Sequence, residues 1–126
     1  MSTKFANLLS AVATMEGFFL PGTPAVNNNN PGNLTACALP RKKAGIFVVF
    51  NSPAEGAAAL ATQFSLYAQR GLTLRQAMNL YAPVGHGNNN PEVYINFITE
   101  HTGIEADTLL NSLFELHNLR EAHNES

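Results

Sequence analysis

The chain has 126 residues, of which 45% are hydrophobic and 13% charged, and its formal net charge is -2 at pH 7. This composition excludes a disordered chain and predicts a single domain with a modest core. The net charge argues against nucleic acid as the main partner. Cys37 is the only cysteine, so no internal disulfide can form.

The N-terminal residues resemble a secretion signal only in part. Lys4 precedes an apolar stretch, and Ala11-Val12-Ala13 has the small residues of a cleavage site. Asn7 and Ser10 interrupt that stretch, however. We therefore expect no signal peptide, and no transmembrane segment, because no apolar stretch is long enough to cross a bilayer.

The first predicted helix places an acid at an apolar position. Its apolar residues recur at helical spacing: Phe5, Leu8, Leu9 and Val12. Glu16 is the next residue on that face. Burial would raise the pKa of this carboxyl, so that it keeps a proton to donate near neutral pH. Alternatively, Glu16 ends the helix before Gly17 and turns to solvent.

The next segment, residues 20–33, is crowded with Pro, Gly and Asn and predicts turns. Two short runs then suit strands, Leu34 to Leu39 and Ile46 to Phe50, which predicts a small hairpin. The polar turn between them, Pro40 to Gly45, contains three consecutive cations. We interpret these cations as a solvated turn, with contact to an anionic polymer as the alternative.

The second half of the chain predicts further helices. Ser52-Pro53-Ala54-Glu55 reads as a capping box that opens a long helix ending at Gly71, which favours a structural role for Glu55 over a catalytic one. Three more helices are predicted: from Thr73 to just before Pro83, from Asn90-Pro91 to Gly103, and from about Asp107 to Arg120. The expected architecture is α+β and mostly helical, with about five helices and one small β-hairpin in a single domain, residues 1–126.

The sequence gives little support for a metal site or for a catalytic nucleophile. The four histidines do not pair with each other or with a cysteine at ligand spacing, so we expect no metal site. We interpret His101 as a core histidine. A serine in a strand-to-helix glycine elbow and a phosphate-binding glycine motif are both absent from the sequence.

Amides and tyrosines remain as candidate binding groups. Asn30-Pro31-Gly32-Asn33 predicts a tight turn at the end of a run of asparagines, whose amides suit sugar hydroxyls and acetamido groups. A second polar patch, Asn88 to Asn90, lies in sequence between Tyr81 and Tyr94. Amides beside aromatic rings suit a saccharide groove, which makes Asn90 and Tyr94 candidate substrate contacts. Tyrosines at helical spacing are also ordinary core residues.

These motifs together resemble a known family. The segments are Met15-Glu16-Gly17, Asn28 to Leu34, Phe47 to Gly56, Leu72 to Pro83, and Asn88 to Ile95. In this order they resemble a lysozyme-like domain of the phage-associated and lytic-transglycosylase branch. The resemblance extends from about Val12 to Leu110.

The resemblance implies cleavage of the β-1,4 bond between N-acetylmuramic acid and N-acetylglucosamine in peptidoglycan. Glu16 would be the general acid, Tyr81 would hydrogen-bond its carboxyl, and Asn33 or Asn30 would hold substrate. Attack by water would give a muramidase, whereas attack by the muramic acid 6-hydroxyl would give a 1,6-anhydro product. Delivery to the cell wall would then follow synthesis in the cytoplasm, by a phage or another export route.

This chain lacks the Gly-Leu-Met-Gln motif of the better-known transglycosylases and departs from the family's pattern in two further places. Gly17 stands where the better-known transglycosylases have serine, and the loop Val84 to Gly87 is unusual. We expect a monomer without a cofactor that acts on glycan strands. The alternatives are a non-catalytic glycan-binding or virion structural protein with the same fold, or an enzyme that cleaves chitin.

Overall fold

The computed structural model describes residues 3–82 and 90–114. Its elements in chain order are α1 (Thr3–Met15), α2 (Pro24–Asn27), β1 (Lys43–Ala44), β2 (Phe47–Val48), α3 (Pro53–Gln69), α4 (Leu74–Tyr81) and α5 (Pro91–Thr102). The two strands form one antiparallel sheet. The predicted α+β, mostly helical class is therefore confirmed.

The chain divides into two compact units. Unit 1 comprises Met1–Leu8 and Phe64–Ser126, and unit 2 comprises Leu9–Gln63. Each unit buries apolar side chains of its own. The expectation of a single domain stays a prediction.

Unit 2 contains most of α1, the hairpin and the first part of α3. Its core consists of eight buried apolar residues: Ala11, Val12, Ala13, Ala25, Leu34, Val48, Phe50 and Leu60. α2 was not expected from the sequence. The Thr23 hydroxyl caps it by accepting from the Val26 N–H, and Pro24 occupies the first helical position.

The hairpin forms later in the chain than the sequence predicts. β1 lies inside the segment expected to be the turn, and Leu34 to Leu39 is not a strand. Gly45 has φ of 62°, which lets the chain reverse within two residues, so β2 pairs with the residues just before it. Leu34 contributes a single backbone bond, accepting from the Val48 N–H at 2.9 Å.

Unit 1 contains α4 and α5, which pack against each other. α4 begins with a complete capping box between Thr73 and Gln76, and α5 begins at the cap Asn90, as the sequence predicts. The buried apolar residues of unit 1 include Phe5, Leu8, Phe64, Leu74, Met78, Ile95, Ile98 and Leu110. Gly103, with φ of 78°, ends α5 as predicted.

The predicted final helix is wrong over residues 107–111. Thr73 and Leu109 form an antiparallel bridge there. The Leu74 N–H donates to the Thr108 carbonyl at 2.9 Å, and the Leu110 N–H donates to the Leu72 carbonyl at 3.0 Å. These tertiary hydrogen bonds replace the helical ones that the apolar spacing suggested. Residues 112–114 are helical, as predicted, and residues 115–120 of that predicted helix lie outside the described residues.

Two further predictions concern histidine and the membrane. His101 is exposed and stacks on Phe97 with a centroid separation of 3.9 Å, so its interpretation as a core residue is wrong. Within residues 3–82 and 90–114, no three metal-binding side chains come together, and no helix is both long and apolar enough to cross a membrane.

Candidate active site

Glu16 lies at the C-terminal end of α1, where a Schellman motif fixes its backbone. The Gly17 N–H donates to the Thr14 carbonyl and the Phe18 N–H to the Ala13 carbonyl, each at 3.0 Å. Gly17 takes φ of 83°, the left-handed conformation that this motif requires. Glu16 is thus the last residue before the chain turns away from the helix, and its side chain is half-buried.

The Glu16 carboxylate contacts the amide-rich turn. Nδ2 of Asn33 donates to Oε2 of Glu16 at 2.9 Å and to the backbone carbonyl of Glu16 at 3.3 Å. A carbonyl oxygen can only accept, so the second contact fixes which end of the Asn33 amide faces Glu16. Glu16 therefore does not turn away into bulk solvent.

Asn33 has an unusual environment of its own. Its φ is 47°, a left-handed conformation that asparagine tolerates better than most residues. Its Oδ1 is buried and has no hydrogen-bond partner among the described residues. An unpaired buried acceptor is costly and calls for an explanation, of which a functional role is one.

The predicted tight turn is present. The Asn33 N–H donates to the Asn30 carbonyl at 3.0 Å, which closes a four-residue turn. Asn29, just before the turn, also has a left-handed φ of 53°, and its Nδ2 donates to the Phe50 carbonyl at 3.0 Å. The asparagine run is therefore bonded to the chain beside β2.

Asn30 has a structural role in this turn rather than a binding one. Its side chain is 0% exposed. Nδ2 donates to the carbonyls of Leu34 and Val48 at 3.0 and 2.9 Å, and Oδ1 accepts from the Leu34 N–H at 2.9 Å. A sugar could reach this amide only by breaking these bonds, so we do not retain Asn30 as a substrate contact.

Gly56, in the first turn of α3, allows the helix to approach the asparagine run closely. A Cβ atom at this position would lie 1.9 Å from the Asn29 carbonyl oxygen and 2.8 Å from Cδ of Pro31. Sequence reasoning assigned Gly56 no role. A glycine inside a helix is unfavourable. Its presence in α3 could therefore have indicated that another segment of the backbone packs closely against this helix.

The loop after Glu16 presents an apolar surface that sequence reasoning also missed. The Thr23 hydroxyl closes the loop by donating to the Gly17 carbonyl at 2.7 Å. Phe19 is 62% exposed, and its ring packs edge-on against Phe18. An exposed aromatic ring three residues after a candidate acid was a readable signal for a sugar contact.

Glu55, the other acid of unit 2, pairs with a cation. Arg41 Nε donates to Glu55 Oε1, and the Asn51 N–H faces the same oxygen at 3.5 Å. The hydrogen bond from Arg41 holds the pKa of Glu55 below its ordinary value. The Ser52 hydroxyl accepts from the Glu55 N–H at 3.1 Å, so the serine half of the expected capping box is present, while the Glu55 carboxylate bonds to Arg41.

Unit 1 brings the two candidate tyrosines together. The rings of Tyr81 and Tyr94 are 6.4 Å apart, and Tyr81 also packs against Phe64 at 5.3 Å. Both tyrosines are half-buried, so each keeps some accessible surface. The expected hydrogen bond between Tyr81 and Glu16 joins residues of different units and stays a prediction.

Asn90 is the N-cap of α5. Its Oδ1 accepts from the Glu92 N–H at 3.1 Å, and its side chain is exposed. Its expected substrate contact stays a prediction, and Asn88 and Asn89 of the same patch lie outside the described residues.

Comparison with protein-family models, curated proteins and solved structures finds no match to this chain. The function is therefore inferred from the chemistry of unit 2 and unit 1 themselves.

Proposed function

We propose that this chain cleaves the β-1,4 bond between N-acetylmuramic acid and N-acetylglucosamine in peptidoglycan, with Glu16 as the general acid. The observation that carries the proposal is the 2.9 Å bond from Asn33 to the half-buried Glu16 carboxylate. It joins an acid at a fixed helix end to a rigid, amide-rich turn, as a glycosidase needs.

The Asn33 bond also assigns the two carboxylate oxygens different roles. The Asn33 N–H donates to Oε2, which accepts it best as a carbonyl oxygen, so we assign the proton of the acid form of Glu16 to Oε1. Oε1 then donates that proton to the glycosidic oxygen as the bond from this oxygen to the sugar C1 breaks. Positive charge develops at C1, and Glu16 is left as a carboxylate beside it.

The second step regenerates the acid. A hydroxyl attacks C1 and gives its proton to the Glu16 carboxylate, so that no net proton is consumed. We favour the muramic acid 6-hydroxyl over water, which gives a 1,6-anhydro end. The reason is that Glu55, the other acid in unit 2, is already paired with Arg41 and is not free to act as a nucleophile or second base.

Three other features support a sugar substrate. Phe19 offers an exposed ring beside the acid in sequence, and Tyr81 and Tyr94 form an aromatic pair in unit 1. Asn33 Oδ1 is an acceptor that lacks a donor, which an acetamido N–H or a hydroxyl could provide after a small movement. We propose Asn33 as a substrate contact of unit 2 and, separately, Tyr81, Asn90 and Tyr94 as substrate contacts of unit 1.

The test is a lysis assay on purified sacculi with wild type, Glu16→Gln and the exposed-acid control Glu100→Gln. We expect Glu16→Gln to lose about 100-fold or more of the activity, because general acid catalysis is typically worth that much. Glu100→Gln should match wild type. If wild type binds sacculi but releases no soluble fragments, the chain is a glycan-binding protein and the enzymatic proposal is wrong.

A further inference from the structure

The hairpin of unit 2 and the residues just before it expose cationic and apolar side chains that are close in sequence. Lys42 and Lys43 are exposed. Leu39, which precedes them, is 62% exposed, and Ile46 in the two-residue loop is 66% exposed. Ile46 is the most exposed large hydrophobic residue in the part of the chain that the structure describes.

The charged residues in the sequence around the hairpin are all cations. The sequence from Gly17 to Ala54 contains three cations and no acid, although the whole chain has a net charge of -2. Arg41 is compensated by Glu55, whereas neither lysine forms an ion pair with a described residue. The hairpin therefore carries uncompensated positive charge where the rest of the chain is acidic.

Backbone and side-chain hydrogen bonds fix the hairpin within unit 2. The Val49 N–H donates to the Lys42 carbonyl at 2.8 Å, which extends the ladder of β1 and β2. Val48 is buried, and its carbonyl accepts from the fully buried Asn30. Because these bonds fix the hairpin, Ile46 cannot easily fold back onto unit 2 and bury its side chain.

We propose that this tip, defined by Leu39, Lys42, Lys43 and Ile46, docks on an anionic lipid surface. Lysines beside exposed aliphatic side chains suit the boundary between phosphate headgroups and acyl chains. A hydroxyl-rich anionic polymer would attract the lysines but would gain nothing from Leu39 and Ile46. The mixed chemistry therefore favours lipid over a wall polymer, and docking does not depend on glycosidase activity.

The test is co-sedimentation of the full chain with vesicles of phosphatidylcholine, alone or with about one third phosphatidylglycerol. Wild type should bind the anionic vesicles at least 10-fold more tightly and should lose binding in high salt. The K42E/K43E variant should lose about 25-fold or more, since each lysine near such a surface contributes roughly a factor of five. Ile46→Ser should weaken binding several-fold without changing its salt dependence.

Matched controls separate docking from general charge attraction. The K4E/R70E variant changes the net charge equally at two exposed positions of unit 1, and Leu80→Ser removes another exposed aliphatic side chain. Both controls should bind vesicles like wild type, and circular dichroism should show all variants folded. Equal loss in K4E/R70E, or no loss in K42E/K43E, would overturn the proposal. So would binding to lipid-free sacculi but not to vesicles, which would assign the tip to a wall polymer.

Discussion

Nδ2 of Asn33 donates to Oε2 of Glu16, so a residue with left-handed backbone holds the acid at the end of α1. The bond joins positions that are 17 residues apart. The orientation of the Glu16 carboxyl therefore depends on the conformation of the turn that contains Asn33.

Asn33→Gly should leave the fold intact and reduce lysis. Glycine accepts the φ of 47° without strain but removes the amide that orients Glu16. We expect wall lysis to fall about 10-fold to 100-fold, as for loss of other groups that orient a functional side chain, while the denaturation midpoint changes little. Asn33→Asp, which places a second carboxylate against Glu16, should shift the acid limb of the pH-rate profile as well. Unchanged lysis by both variants would show that Asn33 does not position the acid.

Gly56→Ala should destabilise the protein even though alanine favours helices. The added Cβ would lie 1.9 Å from the Asn29 carbonyl oxygen, so α3 or the asparagine run must move. We expect a loss of about 2 kcal/mol or more in urea denaturation, with reduced lysis per folded molecule. Gly22→Ala is the matched control, because Gly22 has φ of 85° but no atom within 4 Å of the added carbon. That control should lose about 1 kcal/mol and retain its lysis activity.

Asn30→Ala should be among the most destabilising substitutions in unit 2. It removes three side-chain hydrogen bonds in a fully buried position and leaves Leu34 and Val48 with unpaired backbone groups. We expect a loss of about 3 kcal/mol or more in the free energy of unfolding. Asn27→Ala, at an exposed asparagine with one long bond to the Gly22 carbonyl, should lose under about 0.5 kcal/mol. Equal stability of the two variants would contradict the structural role of Asn30.

The pair formed by Arg41 and Glu55 should contribute to the pH dependence of stability. The hydrogen bond from Arg41 lowers the pKa of Glu55 in the folded state. The folded state then binds fewer protons than the unfolded one, so the contribution is present above the unfolded pKa and is lost as pH falls through the folded value. Denaturation of wild type and Glu55→Gln should therefore differ at pH 6, and the difference should shrink as the pH falls below the ordinary glutamate pKa of about 4.3. A difference between wild type and Glu55→Gln that stays constant over this pH range would count against the pair.

The sequence identified the helices through local signals that survive folding. The caps at Thr73 and Asn90 and the stop at Gly103 are formed by short-range hydrogen bonds, so their positions could be read directly. The hairpin was misplaced because Gly45 determines where the chain reverses, and the apolar run beginning at Leu34 was a weaker signal than this one glycine. The helix expected from residue 107 begins only at residue 112, because the pairing of Leu109 with Thr73 is a tertiary effect that apolar spacing does not reveal.

Part of the candidate site was predictable, because local sequence features marked two of its residues. Glu16 stood out because it breaks an apolar pattern, and Asn33 because it ends a turn motif. Which asparagine faces the acid and which is buried depends on backbone conformation at Asn29 and Asn33, which composition does not reveal. The approach of Gly56 to Asn29 is likewise a tertiary contact, with only a weak local trace in the sequence.

The most direct test of the central claim is mass spectrometry of the soluble fragments released from purified peptidoglycan by wild type and by Glu16→Gln. We predict that wild type releases disaccharide fragments whose muramic acid end lacks one water, and that Glu16→Gln releases less than about one hundredth as much. Fragments with a hydrolysed end would retain Glu16 as the acid but assign the attack to water. Release by Glu16→Gln at the wild-type rate would contradict the account.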